Sequence, residues 1–460
     1  MLSYIDDGID LKRAAAQSHR LVLRLNDKDA NALFNAAQAL CSLAEELDDD
    51  VEDERNEAIS SLQEAIELFS ACLAKQEAEF ADSQGFFAAE NAEADVDKMD
   101  ETTIEDISGQ TDSTEQTVQV ASPITPEDLI DTALAELEAL EQLLLLHAAS
   151  KSSAPELLIG MANTLIETKL PHYLSFIQSH HQSATDGQGD AENGRKISRE
   201  ISHAIASWQA SLSTAEYRGG FIDIHTLYTN VSNIFSGLEQ NTVQGNEDSA
   251  VFSLRIARAE AFLSIARLLA AEIDSLASPF YDSRAEIKLR CLGEAESIFQ
   301  PLIDSYPKEG ARLMIECGDC CLKKLQICQL QGLPDNVPLR FSALLSEARG
   351  WYSKARETAT TYGINRNSDG CISIGTVDEA KSMLKSEAIV KEVLSAIIGL
   401  NMSGHAIPDL KDLQTMLRSV RRQRLEQTLR DVFDDRLVPL SLDAVKDIFH
   451  DFMLRNQPVN

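Results

Sequence analysis

Glycine, proline, aromatic residues and bases are all in short supply. Glycine and proline number 21 and 12 in 460 residues, and aromatics make up 6%. Folds built from many short strands need frequent turns and β-branched or aromatic runs, so their scarcity excludes a sheet architecture and favours helix. No stretch sustains the apolar–polar alternation of a half-buried strand. Bases number 41 against 74 acids, a net charge of −33. A field of that sign repels phosphate backbones and anionic lipid, so direct nucleic-acid or membrane-surface binding is not expected, while basic proteins are attracted. Long apolar runs are missing too. The greasiest, "LEALEQLLLLHAA", is broken by glutamates and is too short to span a bilayer. The opening "MLSYIDDGID" has neither the basic flank nor the apolar segment of a secretory signal. The eight cysteines sit mostly inside apolar helical patterns, as reduced thiols of a cytoplasmic and/or nuclear protein would.

Signatures of catalysis are likewise missing. There is no Walker A loop, no GxGxxG, no GxSxG and no HExxH, so neither an enzyme nor a bound cofactor or metal is expected. "CGDCC" holds one CxxC at Cys317 and Cys320, whereas structural zinc usually takes two such pairs. Cys317 and Cys321 stand one helical turn apart, and core packing is the reading preferred over a metal or redox role.

What is present is a 44% hydrophobic fraction, enough for a real core, arranged with helical periodicity. Helices are expected over 8–47 with a joint at "LNDKDAN", where Asp27 or Asp29 can cap the second. Further ones are expected over 58–76, 127–150, 154–183, 194–213, 220–240, 249–275, 282–305, 309–331, 340–362 and 377–402, with two or three more in 408–456. Thr125–Pro126 reads as an N-cap followed by a first-turn proline. Between Glu77 and Glu115 thirteen acids face a single base, Lys98. Low hydropathy with high charge cannot offset the entropy of ordering, so 82–122 is expected to be a disordered acidic insert. The domains implied are 1–81 (N-terminal helices and a first helix pair), the insert 82–122, a helical array over 123–407, and C-terminal helices over 408–460.

Three segments share a spacing. In "LGEAESIFQPLIDSYP", Ala295, Phe299, Leu302 and Pro307 fall at i, i+4, i+7 and i+12. "ARGWYSKARE" repeats it with Ala348, Tyr352 and Ala355, and "EAIELFSACL" with Ala65, Phe69 and Cys72. Each follows a helix carrying small residues: Ala36 and Ala37, Ala266, and Gly318. A small residue on the first helix lets the second approach, and the aromatic fills the gap to the next pair. This pattern resembles the tetratricopeptide repeat (TPR). The resemblance covers about 30–76 and 254–362. It implies an all-α, right-handed superhelical array of antiparallel helix pairs that binds protein rather than catalysing a reaction. The small-to-small spacings of 28 (Ala37–Ala65), 29 (Ala266–Ala295) and 30 (Gly318–Ala348) are longer than the family's and imply elongated helices or connectors. TPR domains that hold chaperone tails grip a carboxylate with Lys and Asn on the inner face of the first helix. The matching positions are Phe34 and Gln38, Leu263 and Arg267, and Ile315 and Asp319. No carboxylate clamp is expected.

Two charge clusters remain. "EELDDDVEDERNE" packs nine acids between Glu45 and Glu57, and the candidate client contacts are Asp48, Asp49, Asp50, Glu52 and Asp53, with Phe34, Gln38, Arg267 and Asp319 on the inner face. "RSVRRQR" puts Arg418, Arg421 and Arg422 on one helix face, where salt bridges to the acidic remainder are expected. The function implied is a non-catalytic scaffold escorting a basic client such as a ribosomal protein or a histone. The alternative is an adaptor or subunit of a larger assembly with ordinary protein partners.

Overall fold

Apolar residues at helical spacing, separated by short polar joints, fold here into thirteen α-helices and one π turn among the described residues. The computed structural model describes residues 3–26, 29–47, 51–94, 123–150, 155–183, 188–242, 248–275, 281–334, 341–361 and 376–403, with positions 417, 420, 425, 428 and 429. The helices are α1 (Ser3–Leu25), α2 (Ala30–Glu46), α3 (Glu52–Ala94), α4 (Pro126–Ser150), α5 (Pro155–Thr164), α6 (Leu170–Ser183), α7 (Gln188–Arg218), α8 (Ile224–Thr242), α9 (Asp248–Ser275), α10 (Ser283–Ser305), α11 (Gly310–Ile327), α12 (Phe341–Thr361) and α13 (Thr376–Ser403). Among the described residues there is no strand, and no helix long and apolar enough to cross a membrane.

Local chemistry explains the starts. Asp29 accepts the Asn31 N–H at 3.0 Å and caps α2. Thr125 and Asp128 bond each other's backbone N–H groups, a capping box ahead of Pro126. Asp282 accepts from the N–H groups of Arg284 and Ala285 at the head of α10. The stretch expected as one helix over 154–183 contains a π turn at Leu165–Lys169, where the Leu170 N–H reaches back to the Leu165 carbonyl. Pro171 follows and has no N–H to donate, so the ladder is re-registered around it.

Two expectations shift. Helix α3 runs to Ala94, thirteen residues into the stretch 82–122 expected to be disordered; the rest of that stretch, from 95 to 122, lies outside the described residues. Helix α7 begins at Gln188, six residues before the helix expected from 194. Of the C-terminal segment 408–460, and of its arginine cluster, only a few positions are described. Leu417, Val420 and Leu429 are buried with α11–α13.

The chain divides into two units, Met1–Phe221 and Ile222–Asn460, a boundary inside the segment 123–407 treated above as one array. It falls where "RGGF" ends α7. Gly220 takes φ 77°, its N–H bonds to Tyr217 and the Phe221 N–H to Glu216, each at 2.9 Å. That is the glycine-dependent closure of a helix C-terminus.

Within each unit, helices adjacent in sequence pack side by side: α1–α2–α3–α4 in the first, and α8 through α13 in order in the second. This sequential packing is an all-α repeat-like arrangement. The small-residue seams lie where the spacing puts them. Ala37 and Ala65, Ala266 and Ala295, and Ala348 are all at most 1% exposed, with Gly318 buried beside Tyr352. Phe69, Phe299 and Tyr352 are buried behind them. The middle segment departs from strict succession. Helix α4 packs against α3 and also against α7, past α5 and α6, which makes it the hub of the first core.

Candidate functional site

The acids of the first unit fall into two sets. On the α1 side they are neutralised. Lys12 pairs with Glu46 at 2.7 Å, Arg13 forks onto Glu57 with bonds of 2.9 and 2.7 Å, and Arg20 clasps both oxygens of Glu64 with the Nε–Nη2 edge of its guanidinium. Arg13 holds the Glu57 carboxyl below its usual range.

On the α4 side no base among the described residues pairs with Glu45, Glu138 or Glu141. Burial and the nearby Glu45 push the Glu138 carboxyl up, yet Glu138 remains solvent-exposed. Glu45 accepts from Gln142 Nε2 at 3.1 Å. Cys41 is pushed up to about 12 by burial and then by Glu138 and Glu45, which places all three together. One turn further along α4, burial pushes up Glu141, held by Ser207 and Ser211 at 2.9 and 2.7 Å. Burial, Asp128, Glu200 and Glu127 push up Asp131 at the other end of the same helix, with Lys196 opposing them. The result is two acidic patches, Glu45 with Glu138 between α2 and α4, and Asp131 with Glu200 between α4 and α7, the second opposed by Lys196.

The expected contacts are placed as follows. Phe34, Gln38, Cys41 and Glu45 lie at i, i+4, i+7 and i+11 of α2, one stripe that ends at the Glu45–Glu138 patch. Gln38 is exposed, and Phe34 is half-buried, edge-on to Phe69 with ring centroids 5.6 Å apart. Glu52 and Asp53 are exposed in the first turn of α3, and Asp48, Asp49 and Asp50 lie outside the described residues. Arg267 is exposed on α9; burial and Asp319 push the nearby Glu316 carboxyl up, with Lys391, Lys323 and Arg267 opposing them.

Asp319 requires a correction. It is 4% exposed, accepts from the Tyr352 hydroxyl at 2.7 Å and pairs with Lys391 at 2.6 Å, so both carboxylate oxygens are engaged inside the core. Side-chain volume decides this: glycine at 318 lets the Tyr352 ring lie over α11, and the ring's hydroxyl then meets the next residue. Phe34, Gln38, Glu52 and Asp53 belong to the first unit and Arg267 and Asp319 to the second, so the candidates do not form one cluster within either unit.

Sequence reasoning missed Asp131 and Glu138. Their signal was present: Glu127, Asp131, Glu138 and Gln142 fall at i, i+4, i+11 and i+15, one polar stripe on an otherwise apolar helix. The cysteines of "CGDCC" are buried with free thiols, and desolvation raises all three.

Raised carboxyl pKa values carry a sign. Glu136, Glu138 and Glu141 hold their protons more tightly folded than unfolded. Stability from these groups therefore increases as pH falls from neutral toward the ordinary carboxylate range, and is lost as pH rises. The Arg13–Glu57 pair acts oppositely, losing its contribution only as pH falls through and below that range. The expected result is a higher melting temperature at about pH 5.5 than at about pH 7.5. Glu141→Gln should raise the melting temperature at the higher pH and flatten the profile. A melting temperature that falls steadily on acidification over this interval would contradict it.

No family model and no curated protein matches the chain. Among solved structures a similar one is a "circular tandem repeat protein with novel repeat topology and enhanced subunit contact surfaces", 13% identical, covering 97% of this chain and 89% of that one at a TM-score of 0.32. The class rests on this chain's own packing: an all-α protein of consecutively stacked helices.

Proposed function

We propose that this chain is a non-catalytic, divergent TPR-like binding scaffold that escorts a Lys/Arg-rich protein client, of which a ribosomal protein or a histone would be an example. The observation that carries this reading is the division of acids in the first unit. Bases on α1 neutralise Glu46, Glu57 and Glu64, whereas Glu45 and Glu138 have no base paired to them among the described residues, and burial, then like-charged neighbours, push up the Asp131 and Glu138 carboxyls. Such like-charged patches repel themselves and are relieved by cationic side chains from outside. Client entry along the α2 stripe would pass Gln38 before reaching Glu45. The flanking acids Glu52 and Asp53, with Asp48, Asp49 and Asp50, would raise the association rate and make it salt-sensitive.

Affinity purification followed by mass spectrometry identifies the client, and its binding is then titrated between about 50 and 500 mM salt. Affinity should fall steeply with salt. Asp131→Asn combined with Glu138→Gln should weaken binding about tenfold, near the coupling of one or two close charge pairs. Affinity indifferent both to salt and to the double variant would sink the escort reading. Recovery of a stable set of non-basic subunits would favour the adaptor role instead.

A further inference from the structure

The second unit brings together three side chains that neither the escort reading nor core packing requires to meet. Glu296 on α10, Cys321 on α11 and Glu347 on α12 place one carboxylate oxygen, the Sγ and another carboxylate oxygen within 4.8 Å of one another. Cys321 Sγ lies 3.9 Å from Glu296 Oε1. Glu296 and Cys321 are buried and Glu347 is exposed, so the cluster has a floor in the core and a route to solvent.

We propose that Glu296, Cys321 and Glu347 form a binding site for a single thiophilic divalent cation of the zinc class. The donor set is the kind zinc takes: one thiolate and two carboxylates, with water completing a tetrahedron. Metal–sulfur and metal–oxygen bonds of about 2.3 and 2.0–2.2 Å bring donor atoms to roughly 3.5 Å, so the side chains need close in by only about 1 Å. Lys324 is bonded to the other oxygen of Glu296, Oε2, while Oε1 faces the thiol and also accepts from Gln300 Nε2 at 3.4 Å.

The charges balance. Two carboxylates and a thiolate carry three negative charges, Lys324 carries one positive, and a divalent ion neutralises the remainder. Binding forms the metal–sulfur bond, breaks the S–H bond and releases that proton to solvent. Because the donors come from three successive helices, a bound ion would tie α10, α11 and α12 together.

The test uses the full chain, stripped of metal by a chelator and kept reduced with a phosphine. Zn2+ is titrated calorimetrically in buffers of different ionisation enthalpy, and Cd2+ is followed by its ultraviolet thiolate charge-transfer band. One saturable site with release of about one proton is expected. Cys321→Ser should abolish the charge-transfer signal. Glu347→Gln, at an exposed position, should leave the metal-free melting temperature unchanged and weaken Zn2+ at least about tenfold. Absence of saturable binding in the unaltered chain overturns the proposal. So does undiminished binding in Glu347→Gln, which would put the ion on other cysteines. The readouts are independent of client capture, so this site and the escort reading fail separately.

Discussion

Replacing Gly318 with alanine should destabilise the second unit by about 1–3 kcal/mol, toward the upper end, the range for forcing a methyl group into a packed core. A Cβ at 318 would stand 2.5, 2.7 and 2.9 Å from three ring atoms of Tyr352. The ring cannot step aside, because Tyr352 is fully buried and its hydroxyl is bonded to Asp319 at 2.7 Å. Helices α11 and α12 would have to separate. Urea unfolding followed by circular dichroism measures the loss. Combining Gly318→Ala with Tyr352→Leu should recover part of it, since the smaller side chain makes room and the two positions are in direct contact. Gly318→Ala with unaltered stability would show that no seam exists there. The same result would undercut the repeat spacing that predicts it.

Removing the Lys391 ammonium should cost more, about 3–5 kcal/mol, because it leaves buried charge unpaired. Lys391 is 3% exposed and bonds Asp319 at 2.6 Å and Glu387 at 2.8 Å. These carboxylates hold the ammonium well above its usual pKa against the lowering effect of burial, so it stays charged inside the core. In Lys391→Met both carboxylates lose their cation, and Glu316, close to the same group, loses one of the cations that oppose its burial. Replacing Asp319 by leucine and Tyr352 by phenylalanine in the same chain should restore much of the loss, because no buried polar partner is then orphaned. Denaturant midpoints of the single and triple variants decide it. A single variant within about 0.5 kcal/mol of the parent would mean that this network adds nothing measurable to the fold.

The network also shows why one candidate contact was misplaced. Asp319 occupies the inner-face position that in a TPR would look toward a ligand, and its spacing from Ile315 gives no sign otherwise. The structure fills that face with α13. Lys391, 72 residues away in sequence, arrives there and turns a surface aspartate into a core one. Ile315 and Leu263 are buried at 3%, so of the six inner-face positions only Gln38 and Arg267 are well exposed.

Much of the helical layout was legible. The α2, α4 and α10 boundaries follow from Asp29, Thr125–Asp128 and Asp282, and the seams from alanine and glycine at helical spacing opposite an aromatic. These signals are local: a cap and the residue it bonds, or a stripe and its period, lie within a few residues of each other. The acidic patches were not legible. Their acids come from α2, α4 and α7, and no local pattern tells which helix stands opposite α4. Nor does any local pattern set Glu296 and Glu347 against Cys321.

The sequence by itself determined that this chain is helical, that its small residues mark close-packed seams, that "CGDCC" goes into a core, and that its surface is strongly acidic. Those properties follow from periodicity, volume and net charge, which are additive along a chain. Tertiary structure alone decided which acids are neutralised and which are left facing one another, why Asp319 is spent inside the core, and where the first unit ends. Those depend on contacts between residues dozens of positions apart, and the packing of whole helices selects them.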